Sequence, residues 1–234
     1  MALPGRGLKR RHQDHHLTQG AMIHFASDEA HRTPWRPIGA SGPPPILIVP
    51  GLFNSAPDHW QSHWERILPE AERVEQSDWE RPTLGEWTAG LAEAVRRRPG
   101  AVLVAHSLGC ALVAHLTRIS QGRGIGGALL VAPADVNRNT TAGQLLKGFS
   151  PVPLQRLPFA STVVASHDDP YVSIDRAEVF ARAWGSNFVD LGRAGHINVE
   201  SGHGPWPEGR AILNALISRI PAAQTAPERW ARTS

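Results

Sequence analysis

A serine hydroxyl becomes an effective nucleophile when a histidine takes its proton and a carboxylate orients that histidine. This chain of 234 residues carries all three groups, in the order serine, carboxylate, histidine, each just after a short apolar run. Ser107 ends the run Ala101-Val-Leu-Val-Ala-His106 and has Ala105 and Gly109 two positions to either side. Where a strand turns sharply into a helix these two positions approach each other, so both must be small. The pattern predicts a nucleophile elbow that holds Ser107 above the end of a sheet. The histidine is His196, in Gly192-Arg-Ala-Gly-His-Ile-Asn198. The carboxylate lies in His167-Asp-Asp-Pro170 and is taken as Asp169, with Asp168 next to it. Residue chemistry alone does not choose between the two. Asp135 is a further rival, and its alternative role is to cap its own loop. His203 is the nearby alternative histidine, expected instead to be solvent-exposed among glycines, and His106 is expected to point away from the serine.

Such a nucleophile also needs two backbone N–H groups to receive the oxyanion. One is expected from Leu108, directly after the serine. The other is expected from Pro50-Gly-Leu-Phe53, with Leu52 the first choice and Phe53 the second. Gly51 lets that backbone run close to the substrate.

These loops need a scaffold. Strand signals fall at 46–49, 73–76, 101–106, 127–132, 161–166 and 187–191. Helical periodicity falls between them at 58–68, 83–97, 108–120, 173–184 and 207–220, with Asp58 a candidate N-cap. Residues 133–159 are irregular and proline-rich, with a short helical signal at 140–147. Strands alternating with helices predict an α/β fold with a parallel sheet of about six strands covered on both faces. Each chemical residue stands just after a strand, where ligands bind in such sheets.

Residues 1–45 differ from the rest. They are rich in His, Arg, Gly and Pro, lack apolar periodicity and end in Gly-Pro-Pro-Pro45. They read as a disordered leader or a mis-annotated start, with Met22 the alternative first residue. The folded domain is expected over 46–221, followed by a tail at 222–234. The leader holds six basic and three acidic residues, while 46–234 holds 18 of each. The net charge of +3 thus resides in the leader, which argues against a nucleic-acid-binding domain. No apolar run approaches the roughly 20 residues of a membrane span, and no apolar stretch follows the basic start as a secretory signal requires. The single cysteine, Cys110, forms no internal disulfide, and a cytoplasmic location is expected.

Seven motifs in order carry a family resemblance. They are Val49-Pro-Gly-Leu52; His59-Trp-Gln61 with Trp64; Gln76-Ser-Asp-Trp79 with Pro82; and the elbow. Then come Val131-Ala-Pro-Ala-Asp-Val136; Ala165-Ser-His-Asp-Asp-Pro170; and Gly195-His-Ile-Asn198 with Glu200-Ser-Gly and Trp206-Pro. Together they resemble the YdeN-type serine hydrolases related to retinoblastoma-binding protein nine, over about residues 46–217. The resemblance implies a compact single-domain α/β-hydrolase without a large lid and the triad Ser107, Asp169, His196. It favours Asp169 because that carboxylate directly precedes the proline. The elbow departs from the family in beginning with Ala105 where glycine is more common. The retinoblastoma-binding relatives carry a Leu-x-Cys-x-Glu peptide, whereas this chain reads Leu108-Gly-Cys-Ala-Leu112 without the glutamate, so that partner is not expected.

The resulting expectation is hydrolysis of a small ester, thioester or amide, with no cofactor and no metal. A small acyl compound is then the partner. The competing expectation is a binding or scaffold module that keeps the fold and leaves the triad idle. His59 and His63 stand four apart as zinc ligands can, but packing and capping are the expected roles. His12, His15 and His16 form at most a weak metal tract. Of the eight tryptophans, Trp60, Trp64 and Trp87 are expected in the core. Trp79, Trp206 and Phe53 are candidates for the pocket mouth.

Overall fold

The computed structural model describes residues 43–137 and 145–221. Met22, the histidines at 12, 15 and 16, most of the helical signal at 140–147 and the tail at 222–234 lie outside these residues.

Six strands form one parallel sheet: β1 Ile46–Val49, β2 Ala71–Arg73, β3 Ala101–His106, β4 Ile125–Val131, β5 Ala160–Ala165 and β6 Asn187–Asp190. Their order is β2-β1-β3-β4-β5-β6. The chain moves outward from β1 to β2, returns to β3 on the other side of β1, and then runs steadily to β6. The reversal falls between β1 and β3, and open α/β sheets bind ligands at such a switch point. The pairing Val49↔Ala105 sets the end of β1 beside the residue two before Ser107. β1, β3 and β4 are buried along their whole length, as near-continuous apolar runs predict for strands covered on both faces.

The helices are α1 Trp60–Ile67, α2 Leu84–Arg97, α3 Leu108–Ser120, α4 Ile174–Trp184 and α5 Pro207–Ile217. Strand side chains alternate between two cores. Leu47, Leu103 and Leu130 face Leu91, Leu112 and Phe180 of α2, α3 and α4. Ile48, Val104 and Leu129 face Trp60, Trp64 and Leu213 of α1 and α5. The fold is thus the α/β-hydrolase arrangement, with helices on both faces.

Several boundaries differ from expectation, each for a local reason. The cap of α1 is His59, whose Nδ1 accepts the Gln61 N–H at 3.2 Å, while Asp58 stands exposed one residue too early. The edge strand is Ala71–Arg73 and not 73–76, because pairing with Ile46–Ile48 sets its register. Val74 lies beyond it, with its N–H on the Ile48 carbonyl at 2.9 Å. Ser173 and Thr83 are the N-caps of α4 and α2 and lie outside them. α5 stops at Ile217, three residues early, as the chain tightens ahead of Pro221.

Candidate active site

Ser107 joins β3 to α3 with φ 54° and ψ −119°, a conformation that costs a non-glycine residue about 1–3 kcal/mol. The surrounding turn enforces it. Ser107 donates its N–H to the Val131 carbonyl at 3.0 Å, and its own carbonyl accepts the Cys110 N–H at 3.0 Å. A Cβ on Gly109 would lie 2.5 Å from the Val49 carbonyl oxygen, so a side chain here forces the turn to shift. A Cβ on Gly51 would lie 2.9 Å from the Ser107 Cβ and 3.3 Å from the Leu108 nitrogen, which brings the β1 loop against the elbow.

The two expected oxyanion donors differ from Phe53 in their backbone bonding. Leu108 opens α3, so its N–H has no intrahelical acceptor. Among the described residues neither Leu108 nor Leu52 donates its N–H to another protein group. Phe53 does: its N–H binds the Trp79 carbonyl at 2.9 Å, which removes it as a donor. The loop is held from below. Gln61 is fully buried; its Nε2 donates to the carbonyls of Val104 at 2.9 Å and Val49 at 3.3 Å, and its Oε1 accepts the Ser55 hydroxyl at 2.6 Å. Arg73 donates to Asn54 Oδ1 at 2.7 Å and to the Ser55 carbonyl at 3.0 Å. In the sequence Gln61 stands out only as part of a family motif. The signal for its structural role is a polar side chain on the apolar face of α1.

Asp169 and His196 come together. His196 Nδ1 lies 3.0 Å and 2.9 Å from the two Asp169 oxygens. The Asp169 side chain is inaccessible to solvent, and that of His196 is 9% exposed. A proton on Nδ1 facing the carboxylate leaves Nε2 as the acceptor, the tautomer a general base needs. Among the described residues the Ser107 hydroxyl makes no hydrogen bond, to His196 or elsewhere. Such nucleophile–base bonds commonly tighten only when substrate is bound. The rival carboxylates are engaged elsewhere. Asp168 binds the Gly195 N–H at 2.8 Å and the Ser166 hydroxyl at 2.8 Å. Asp135 pairs with Arg176 at 3.5 Å and accepts the Asn137 N–H, a loop-capping role.

Burial disfavours the charged form of His106, His59 and His203. Burial holds His106 well below the usual histidine range, with His196 and His59 adding to the effect. Its Nε2–H donates to the His196 carbonyl at 2.9 Å, tying the residue before the nucleophile to the histidine loop. Burial likewise lowers His59 to about 4. Burial also lowers His203, which binds Ser201 and packs on Trp206 and is therefore not simply a solvent-facing loop residue. His63 lies 3.1 Å from Arg66, and among the described residues no group of three or more His, Cys, Asp or Glu is placed to hold a metal. Trp206 does not line the mouth: it is buried and stacks on Trp64 at 5.7 Å. Trp79 is half-buried against Trp87, while Phe53 is 66% exposed. Tyr171, absent from the expected site, sets its ring 4.5 Å from that of His196.

Comparisons with known proteins identify the family and the fold. The family profile described as serine hydrolase matches residues 46–215. A structure described as a YdeN-like hydrolase from Pectobacterium atrosepticum is 36% identical, with a TM-score of 0.66 over 76% of this chain and 92% of its own. The ydeN gene product of B. subtilis is 21% identical, with a TM-score of 0.63 over 75% of this chain and 100% of its own. Est1E from Butyrivibrio proteoclasticus, solved with ferulic acid, shares the fold at 12% identity and a TM-score of 0.59, over 75% of this chain and 87% of its own. No curated protein matches the chain by sequence. With a family match across most of its length and a strained serine elbow at its switch point, the chain belongs to the serine hydrolases of the YdeN type, within the α/β-hydrolase superfamily.

Proposed function

We propose that the protein cleaves a small ester, thioester or amide through an acyl-enzyme on Ser107. His196 Nε2 takes the hydroxyl proton as Ser107 Oγ attacks the carbonyl carbon. The Leu52 and Leu108 N–H groups receive the oxyanion. The imidazolium, steadied by Asp169, then protonates the leaving group. In the second half His196 activates water, and its attack frees the acid and returns the serine. The observation that carries this reading is the buried grip of Asp169 on His196 Nδ1. Tyr171, half exposed with its ring 4.5 Å from that of His196, favours a partly apolar substrate. The single cysteine, Cys110, is buried and free, which accords with action in the cytoplasm. Among the described residues no helix is long and apolar enough to cross a membrane.

The test is labelling by a fluorophosphonate, with intact mass, on wild type, Ser107→Ala and His196→Ala. One adduct on wild type, none on Ser107→Ala and slow labelling of His196→Ala are expected. Full labelling of folded Ser107→Ala would place the nucleophile elsewhere. Turnover in Ser107→Ala should fall by several orders of magnitude, about the 10⁶-fold seen when such a serine is removed elsewhere.

A further inference from the structure

His196 is carried by a weakly supported part of the sheet. β6 is an edge strand, pairs with β5 alone and has no buried residue. The loop after it has to hold an imidazole against both Asp169 and the serine. The residues on either side of His196 adopt left-handed backbone, Gly195 at φ 56° and Ile197 at φ 50°. His106 binds the His196 carbonyl and the Trp60 indole N–H donates to the Ile197 carbonyl at 2.8 Å, while bonds to the β5 loop hold the residues ahead of His196. Asp168 Oδ1 accepts the Gly195 N–H at 2.8 Å, directly before His196. The same oxygen accepts the Ser166 hydroxyl at 2.8 Å, and Ser166 Oγ in turn accepts the Ala194 N–H at 2.9 Å. The two residues preceding His196 therefore both hang from the segment that also supplies Asp169. The adjacent aspartates face different targets, one the backbone of the histidine loop and the other its ring. Hydrogen bonds from Gly195 and Ser166 also hold the Asp168 carboxyl below the usual carboxylate range. Arg193 lies 3.6 Å away at 81% exposure and adds little.

We propose that Asp168, braced by Ser166, is a positioning residue for the reaction: it fixes the backbone ahead of His196 so that the imidazole meets Asp169 and Ser107 together. It acts through hydrogen-bond geometry, and its charge is not the triad charge. The inference rests on the acyl-enzyme reading.

The test uses the full chain, p-nitrophenyl acetate turnover and the rate of fluorophosphonate labelling, with thermal melts alongside. Displacing a catalytic group by about 1 Å costs about 100-fold, so Asp168→Ala should lose about 10- to 100-fold in kcat, with KM within about twofold. Asp168→Asn keeps an acceptor oxygen and should recover to within about fivefold of wild type. Asp169→Asn should lose about 10⁴-fold, because the imidazole tautomer is no longer fixed. Wild-type kcat in Asp168→Ala would overturn the proposal. So would an Asp168→Asn loss as deep as that of Asp169→Asn, which would make Asp168 the triad acid. Should Asp168→Ala lose its cooperative melt, Ser166→Ala carries the test: a kcat drop of about 3- to 10-fold at constant KM supports the proposal, and wild-type kcat overturns it. Ser107→Ala is measured in parallel; activity there would defeat the acyl-enzyme reading itself, a result separate from any Asp168 outcome.

Discussion

Ser107 is held in its strained conformation by its neighbours, so the smallest residues around it control the reaction geometry. Gly109 is the clearest case. Any Cβ there meets two carbonyl oxygens at the end of β1, 2.5 Å and 2.8 Å away. Gly109→Ala must push α3 off β1 or displace the loop that carries Leu52. We expect a stability loss of about 1–3 kcal/mol by urea unfolding, as for other overpacked sites. Fluorophosphonate labelling should slow by about tenfold or more, because the Leu52 and Leu108 N–H groups proposed to receive the oxyanion would no longer converge. Ala105→Gly is the contrast. It relieves nothing and should cost only the about 0.5–1 kcal/mol of a glycine in a strand, with labelling unchanged. This steric demand was legible in the sequence, since a sharp strand-to-helix turn requires small residues two before and two after its serine. The choice between Asp168 and Asp169 was not legible from residue chemistry, and only the family resemblance favoured Asp169. The two are adjacent, and what separates them is the direction each carboxylate takes toward partners 27 positions away.

At the level of elements, α1 and its cap couple the fold to pH. His59 caps the helix through Nδ1, and its ring lies 5.3 Å from Trp60 and 4.9 Å from His106. Burial holds it neutral, with a folded-state pKa of about 4 against 6.5 in the unfolded chain. A histidine with a lowered pKa contributes its full stability above 6.5. That contribution declines as pH falls toward 4, because only the unfolded chain then takes up the proton. The loss across this window is on the order of 3 kcal/mol for His59 alone. His59→Asn keeps a capping acceptor and removes the titration. Its unfolding free energy, measured in urea from pH 7 to 4.5, should therefore fall less steeply than that of wild type, while His106 retains part of the slope. Identical slopes would show that His59 is not held neutral. Sequence periodicity marks α1 but favours Asp58 as its cap, because aspartate is the better capping residue by intrinsic preference. Tertiary burial of the His59 ring decides otherwise. The same kind of override moves β2: Val74 has the stronger strand propensity, yet pairing with β1 fixes the strand at Ala71–Arg73.

The whole described fold closes within a defined stretch of chain. The Pro45 carbonyl accepts the Val102 N–H at 2.8 Å, and both apolar cores lie between Ile46 and Ile220. The charge asymmetry of the sequence points the same way, since 46–234 is balanced at 18 basic and 18 acidic residues. A fragment of residues 43–221 should melt within about 5 °C of the full chain and label with fluorophosphonate at the same rate. The carboxyl end is the sensitive one. Helical periodicity runs on to Ile220, whereas α5 ends at Ile217, yet Ile220 remains 3% exposed. Its Cδ1 would lie 2.7 Å from a Cβ on Gly127, so it packs directly on β4 where that strand has no side chain. Arg219 also donates to the Ser161 carbonyl at 3.2 Å and to Thr162 Oγ1 at 3.3 Å, binding this end to β5. Cutting after Ile217 removes both anchors and opens a cavity over Gly127. By analogy with buried isoleucine truncations it should cost about 2–5 kcal/mol relative to the 43–221 fragment. Equal stability of the two fragments would mean that α5 alone closes this face of the sheet.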